Sequence, residues 1–156
     1  MHYEPFFYPL DAIHHWNRLY GRRGFLQYQF VVPFDHGYDA MRDILARIRR
    51  SGEGSFLTVL KQFGDIQSPG MLSFPRPGLT LALDFAFGGQ QTLRLLDDLD
   101  AIVRASGGAV YPAKDARMNG ASFRAFFPRW QEFAQYIDPR FSSSFWRRVS
   151  TNLANP

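Results

Sequence analysis

No cysteine occurs among the 156 residues, so disulfides, thiolate nucleophiles and zinc-thiolate sites are all excluded. Any redox chemistry would therefore need an organic cofactor. No apolar run approaches the roughly 18 residues of a membrane-spanning helix, and the N-terminus lacks the basic-then-apolar layout of a signal peptide. The expectation is a cytoplasmic protein with no membrane span. A phosphate-binding P-loop is missing, and the pairs Gly88-Gly89 and Gly107-Gly108 lack the spacing of a dinucleotide fingerprint. Serines 142 to 144 have no nucleophile elbow around them, and no glutamate-histidine set has zinc spacing. His14 and His15 are neighbours, which puts them on different faces of a helix, so they cannot chelate one metal as a pair spaced by four can. The reading is no metal and no hydrolase.

What the chain does have is rings and positive charge. Hydrophobic residues make up 46% and aromatics 17%, with 16 phenylalanines, which is enough to build one globular domain over 1–156. A domain of this size has too little interior to hide every ring, so a surface for a partner is expected. The net charge of +4 suits nucleic acid, an anionic surface or a phosphorylated substrate, and also suits an arginine-rich domain with no such partner. The strand before Lys114 lacks the glycine-aromatic pattern of RNA-recognition modules, which argues for no nucleic acid.

Hydrophobic periodicity orders the centre of the chain. Residues Phe25 to Pro33 alternate, with Leu26, Tyr28, Phe30 and Val32 on one face and Phe25, Gln27, Gln29 and Val31 on the other. Asp39 to Arg50 carries Met41, Ile44, Leu45 and Ile48 at helical spacing, with Gly52 as its stop. Ser55 to Phe63 is a strand with Leu57, Val59, Lys61 and Phe63 on one face. Leu79 to Phe87 is a strand whose large residues form one face, while Thr80, Ala82, Asp84 and Ala86 leave room on the other. Thr92 to Ala105 is a second amphipathic helix, and a short strand precedes Tyr111. The order strand, helix, strand, strand, helix, strand predicts an α+β fold: an antiparallel sheet with a split β-α-β, ferredoxin-like core and both helices on one face. Before this core, Met1 to Leu10 reads as an extended lead-in because Pro5 and Pro9 block a regular helix, and Asp11 to Gly24 reads as a helix. After it, Ala121 to Tyr136 is a helical region broken at Pro128 and expected to cover part of the sheet, followed by an arm over Phe141 to Val149.

The stretch GGAVYPAKDAR, Gly107 to Arg117, sets Tyr111 and Lys114 where that short strand runs out. A phenol and an ammonium at the mouth of a sheet can hold a sugar hydroxyl or stabilise developing negative charge. Packing and surface charge explain the same residues. Gln27 and Gln29 could be solvent-facing or line a polar pocket, and Lys61 could lay its stem along the sheet or serve a site. Phe74 and Pro75, in the long connection Gly64 to Gly78, could pack over such a pocket.

Five segments in order, PLDAIHHWNRLYGRRGFLQYQFVVP, SFLTVLKQFG, LSFPRPGLTLALDF, GGAVYPAKDAR and FFPRWQEFAQYIDPRF, resemble the C-terminal part of the decaprenylphosphoryl-β-D-ribose oxidase family. Its members are FAD-linked oxidoreductases of the vanillyl-alcohol-oxidase type that serve cell-wall biosynthesis. The resemblance implies a substrate-binding domain whose FAD-binding domain, in cis or in trans, is absent from this chain, so that the chain alone is inactive. It implies a polyprenyl-phosphoryl sugar or another small sugar as substrate, with association to the cell envelope. By position, Lys114 and Tyr111 match the catalytic residues closest to flavin and substrate, Gln27 and Gln29 the pocket-lining amides, and Lys61 and Phe63 the pocket wall. In that family a hydride passes from a sugar carbinol carbon to flavin N5, and an ammonium like that of Lys114 would stabilise the reduced flavin or hold the hydroxyl being oxidised. Thr80 and Ala82 stand where mycobacterial members carry asparagine and cysteine, and Pro112 follows the tyrosine, both of which bear on the substrate. The His-Trp-Gly-Lys motif of related sugar-lactone oxidases is missing. A stand-alone module that binds a ligand or protein on the open sheet face is the competing expectation.

Overall fold

The computed structural model describes residues 2–150; Met1 and the last six positions of the single domain expected over 1–156 lie outside the described residues. Four strands, β1 (Phe25–Val32), β2 (Ser55–Phe63), β3 (Gly78–Ala86) and β4 (Ala109–Val110), form an antiparallel sheet in the order β2-β3-β1-β4. This is the strand order of the split β-α-β arrangement, and the α+β expectation is borne out.

Two long helices cover one face. α2 (Phe34–Ser51) and α3 (Gln90–Ala105) pack on Tyr28, Phe30 and Val32 of β1 and on Leu81, Leu83 and Phe85 of β3, through Ile44, Leu95, Leu96, Leu99 and Val103. Phe30 and Phe85 are fully buried, and truncating either to alanine should cost about 3–5 kcal/mol. α2 begins five residues before the Asp39 read from periodicity. Gly37 is a poor helix former on its own, but it is buried against Leu79, where a Cβ would stand 3.2 Å from a Leu79 methyl. Close packing on the sheet outweighs propensity there. Gly107 and Gly108 are required for a similar reason: Gly107 has φ +70°, and a Cβ on Gly108 would collide with the Val31 carbonyl. Only a bare backbone can bring β4 alongside β1.

Two expectations change, and a third is filled in. Residues Tyr3–Phe7 form a helical turn, α1, not an extended lead-in, because Pro5 falls within the first turn, where its missing N–H costs nothing. Asp11 to Gly24 is not one helix. A 3-10 turn at Pro9–Ala12 and another at Trp16–Tyr20 are separated by His15 in the left-handed region (φ 56°), and the glycine arm Gly21 to Gly24 follows. The region after Pro112 forms α4 (Gly120–Phe126), α5 (Trp130–Ala134) and α6 (Ser144–Ser150). α4 packs on α3, α6 and the β4 edge, and its Phe123 and Phe126 join the core, so it covers part of the sheet as expected by extending the helical layer.

Candidate functional site

The second sheet face carries every strand residue named from the sequence as a candidate for the site. Register sets Val59, Ala82 and Gln29 side by side across β2, β3 and β1, and the Tyr111 amide donates to the Gln29 carbonyl at 2.8 Å, continuing the row past β4. Lys61, Thr80 and Val31 form the next row, with Phe63 opposite Gly78 beyond it. Gln27 pairs with Asp84 on the other side. The period of two along a strand is what gathers Gln27, Gln29, Lys61, Phe63, Thr80 and Ala82 on one surface.

Aromatic side chains border this floor at two ends. At one end Phe74, buried in the β2–β3 connection, stacks on Tyr111 (ring centroids 4.8 Å apart) and meets Phe63 edge-on at 5.9 Å. At the other, Tyr20 stacks on Phe25 at 4.3 Å and meets Phe56 edge-on at 5.5 Å. Between them Ala82, Val59 and Gln29 remain partly exposed and Gln27 and Lys61 exposed.

The polar groups of the floor are partly engaged with each other. The Tyr20 hydroxyl and the Gln27 amide donate to the two oxygens of Asp84 at 3.2 and 3.1 Å, and the Gln29 amide donates to the Thr80 hydroxyl at 3.2 Å. Asp84 is 4% exposed and Thr80 1%. The room expected over the small residues of β3 is therefore filled at Thr80 and Asp84 by this chain's own side chains, and Ala82 is where it remains. Burial, then the Asp84 carboxylate, hold the Tyr20 hydroxyl above its ordinary pKa, which keeps it a donor. Each glutamine retains its carbonyl oxygen and one N–H for a ligand.

Lys114 ends the 3-10 turn Pro112–Lys114, is half-buried, and makes no side-chain hydrogen bond or ion pair among the described residues. The residues after it fix its position. Asp115 accepts from the backbone N–H groups of Arg117 and Met118 at 3.0 and 2.6 Å and pairs with Arg148. Arg117 clamps Asp100 of α3 through both terminal nitrogens, at 2.7 and 2.8 Å, and donates to the Leu96 carbonyl. Lys61 is likewise unpaired among the described residues. Of the 18 basic residues only Lys61 and Lys114 are lysines, and both belong to this face or its rim. That imbalance is a signal in composition that sequence reasoning passed over. It also missed Tyr20 and Asp84, which lie 64 residues apart, and the anchoring by Asp115 and Arg117.

Fold and face define an α+β sheet domain with one helix-covered surface and one polar, lysine-bearing surface. No protein-family model matches the chain. Over 150 residues, 92% of its length, it is 41% identical to decaprenylphosphoryl-β-D-ribose oxidase of Mycolicibacterium smegmatis, of which it covers 32%. It is 34% identical over 116 residues, 71% of its length, to an uncharacterized protein in the mprA 5′ region of Streptomyces coelicolor, of which it covers 31%. The resemblance read from the five sequence segments is borne out in these terms, and the chain spans about a third of the length of the curated relatives it matches. Among the described residues no helix is long and apolar enough to cross a membrane, and no group of three or more acidic or histidine side chains could hold a metal ion.

Proposed function

We propose that this chain is the substrate-binding part of an FAD-dependent oxidoreductase that oxidises a carbinol carbon of a polyprenyl-phosphoryl ribose or a similar sugar. The observation that carries the reading is the match over nearly the whole chain to an oxidase named for such a substrate, together with the row Val59, Ala82, Gln29, Tyr111 ending at an unpaired ammonium. The chain's own residues suit covering a flat ring better than anchoring a dinucleotide: a sheet floor runs to the Tyr111 phenol, Lys114 follows at the end of the next turn, and no glycine-rich phosphate loop occurs in the sequence. Tyr111 and Lys114 would lie closest to the flavin and the reacting carbon. When bound, flavin supplies the two-electron acceptor.

Gln27 and Gln29 would orient the sugar through their free amide atoms, with Asp84 and Thr80 fixing how those amides point. Lys114 Nζ would donate to the carbinol oxygen and hold the hydroxyl being oxidised in place. Lys61, exposed beside Thr80, suits the phosphodiester charge of the substrate. An FAD-binding domain, in cis or in trans, would close the open side and exclude water.

In the complete flavoenzyme, Lys114→Ala should lower kcat by about 10²–10³-fold while flavin stays bound, as removing one preorganised donor does. Turnover near wild type would remove Lys114 from the mechanism. The isolated chain should be colourless and inactive, and a yellow, flavin-loaded preparation of it would refute the division of roles.

A further inference from the structure

On the helical side of the molecule, a cleft of about 530 Å³ opens between the end of α3, the 117–120 loop, α4 and α6, lined by Arg104, Arg117, Asn119, Gly120, Arg124 and Arg148. Four guanidinium groups converge on it from four separate elements. Two have carboxylate partners: Arg117 pairs with Asp100 and Asp97, and Arg148 with Asp115. The other two do not. Arg104 reaches only the Ser122 hydroxyl, at 3.3 Å, and Arg124 has no hydrogen bond or ion pair among the described residues. The Nη1 of Arg124 is nonetheless buried, so its N–H groups have left water without gaining an acceptor. Gly120 lets α6 approach here, since a Cβ there would collide with the Val149 carbonyl at 2.6 Å, and the same bare backbone lies against Arg124 Nη1, 3.1 Å from where that Cβ would be. Holding like charges together around an open cleft is unfavourable unless an anion joins them.

We propose that this cleft binds a phosphoryl group, with Arg104 and Arg124 as its ligands and Arg117 and Arg148, pinned by their carboxylates, shaping the walls. Planar guanidinium forks arriving from different directions match the several oxygens of a tetrahedral phosphate better than a single planar carboxylate. The cleft is larger than phosphate alone, so the natural ligand is a phosphate ester, either a soluble metabolite or a lipid headgroup. The assignment is independent of the flavoenzyme reading, because it uses the opposite side of the sheet.

The test titrates the purified chain with inorganic phosphate and phenyl phosphate by calorimetry, and with phosphatidylcholine vesicles with and without phosphatidic acid by co-sedimentation, all at matched ionic strength. Saturable phosphate binding is expected. Replacing both ligands, Arg104→Gln with Arg124→Gln, should weaken it by about tenfold or more without lowering the thermal stability of the ligand-free protein. A merely structural role would instead lose stability. Arg129→Gln, whose partner is the exposed Glu132, should bind as wild type. Should the double variant not fold, Arg104→Gln alone, on the exposed end of α3, carries the test with the same direction of effect. Vesicle binding that requires phosphatidic acid and both arginines identifies a lipid headgroup, whereas soluble binding alone identifies a free ester. No saturable binding, or equal binding by wild type and the arginine variants, overturns the proposal.

Discussion

Two tyrosine–aspartate pairs lie back to back across the sheet, and they have been built to different ends. On the helix-covered side Tyr28 donates to Asp100 at 2.8 Å, and Arg117, with its side chain 10% exposed, clamps the same carboxylate. On the open side Tyr20 donates to Asp84 at 3.2 Å, but there the second partner is the neutral amide of Gln27. Burial alone would pull the Arg117 pKa down; the hydrogen bonds and charge of Asp100 outweigh it, so the guanidinium is held above its ordinary value. The first pair is closed, with its charge balanced inside the protein. The second is a buried carboxylate whose donors are neutral and which lies beside a partly exposed surface. The difference teaches that the sheet locks its structure on one face and keeps its adjustable polar groups on the other.

Breaking the closed pair should have the largest effect. Asp100→Ala leaves the nearly buried Arg117 with only the exposed Asp97 as a carboxylate partner and Tyr28 without its acceptor, and should cost about 3–5 kcal/mol in denaturant unfolding. A loss under about 1 kcal/mol would erase the distinction between the two pairs. Asp84→Ala strands only neutral donors, the buried Tyr20 hydroxyl and the exposed Gln27 amide, and should cost about 1–3 kcal/mol, while weakening sugar binding in the complete enzyme because Gln27 loses its guide. If Asp84→Ala proves the more damaging for stability, the comparison is inverted.

Alkali sharpens it further. Burial first, then the Asp100 charge, hold the Tyr28 hydroxyl well above 10.0, so the folded chain keeps a proton that the unfolded chain loses. Stability contributed by this group is intact below the free-tyrosine value and falls as pH rises past it, with a slope of up to about 1.4 kcal/mol per pH unit. Tyr28→Phe should flatten the decline of unfolding free energy above about pH 10, and an unchanged slope would mean that Tyr28 is not the group responsible. Smallest of all, Lys61→Ala should change stability by less than about 0.5 kcal/mol, as an exposed, unpaired residue does. It should raise the KM for a phosphoryl sugar in the complete enzyme, and an unaltered KM would take Lys61 out of substrate binding.

The parts of this picture that could be read in the sequence are those governed by short periods. Alternation along Phe25–Val32, Ser55–Phe63 and Gly78–Ala86 puts Gln27 with Gln29, Lys61 with Phe63 and Thr80 with Ala82, each pair on one face of its own strand, and the helical spacing of Ile44, Leu95, Leu99 and Val103 marks the covering layer; that the three pairs share one side of the sheet follows only from the strand register. What stayed hidden depends on groups distant in sequence. Nothing near Asp84 announces Tyr20, and nothing near Arg117 announces Asp100. The N-terminal segment misled for a different reason: Ile13, Trp16 and Leu19 have helical spacing, yet the chain turns at His15 and tightens into 3-10 geometry so that Tyr20 can reach the sheet. A tertiary contact there overrides the local pattern.

The scarcity of lysine has a practical side. Because 16 of the 18 basic residues are arginines, an amine-selective reagent used after the α-amino group is blocked has two side-chain targets, Lys61 on the sheet floor and Lys114 at its rim. Acylation monitored by mass spectrometry thus becomes a footprint of this one surface. Protection of Lys114 before Lys61 when a flavin domain is added, or of Lys61 first when a phosphoryl sugar is added, would map which molecule meets which end without any engineered label.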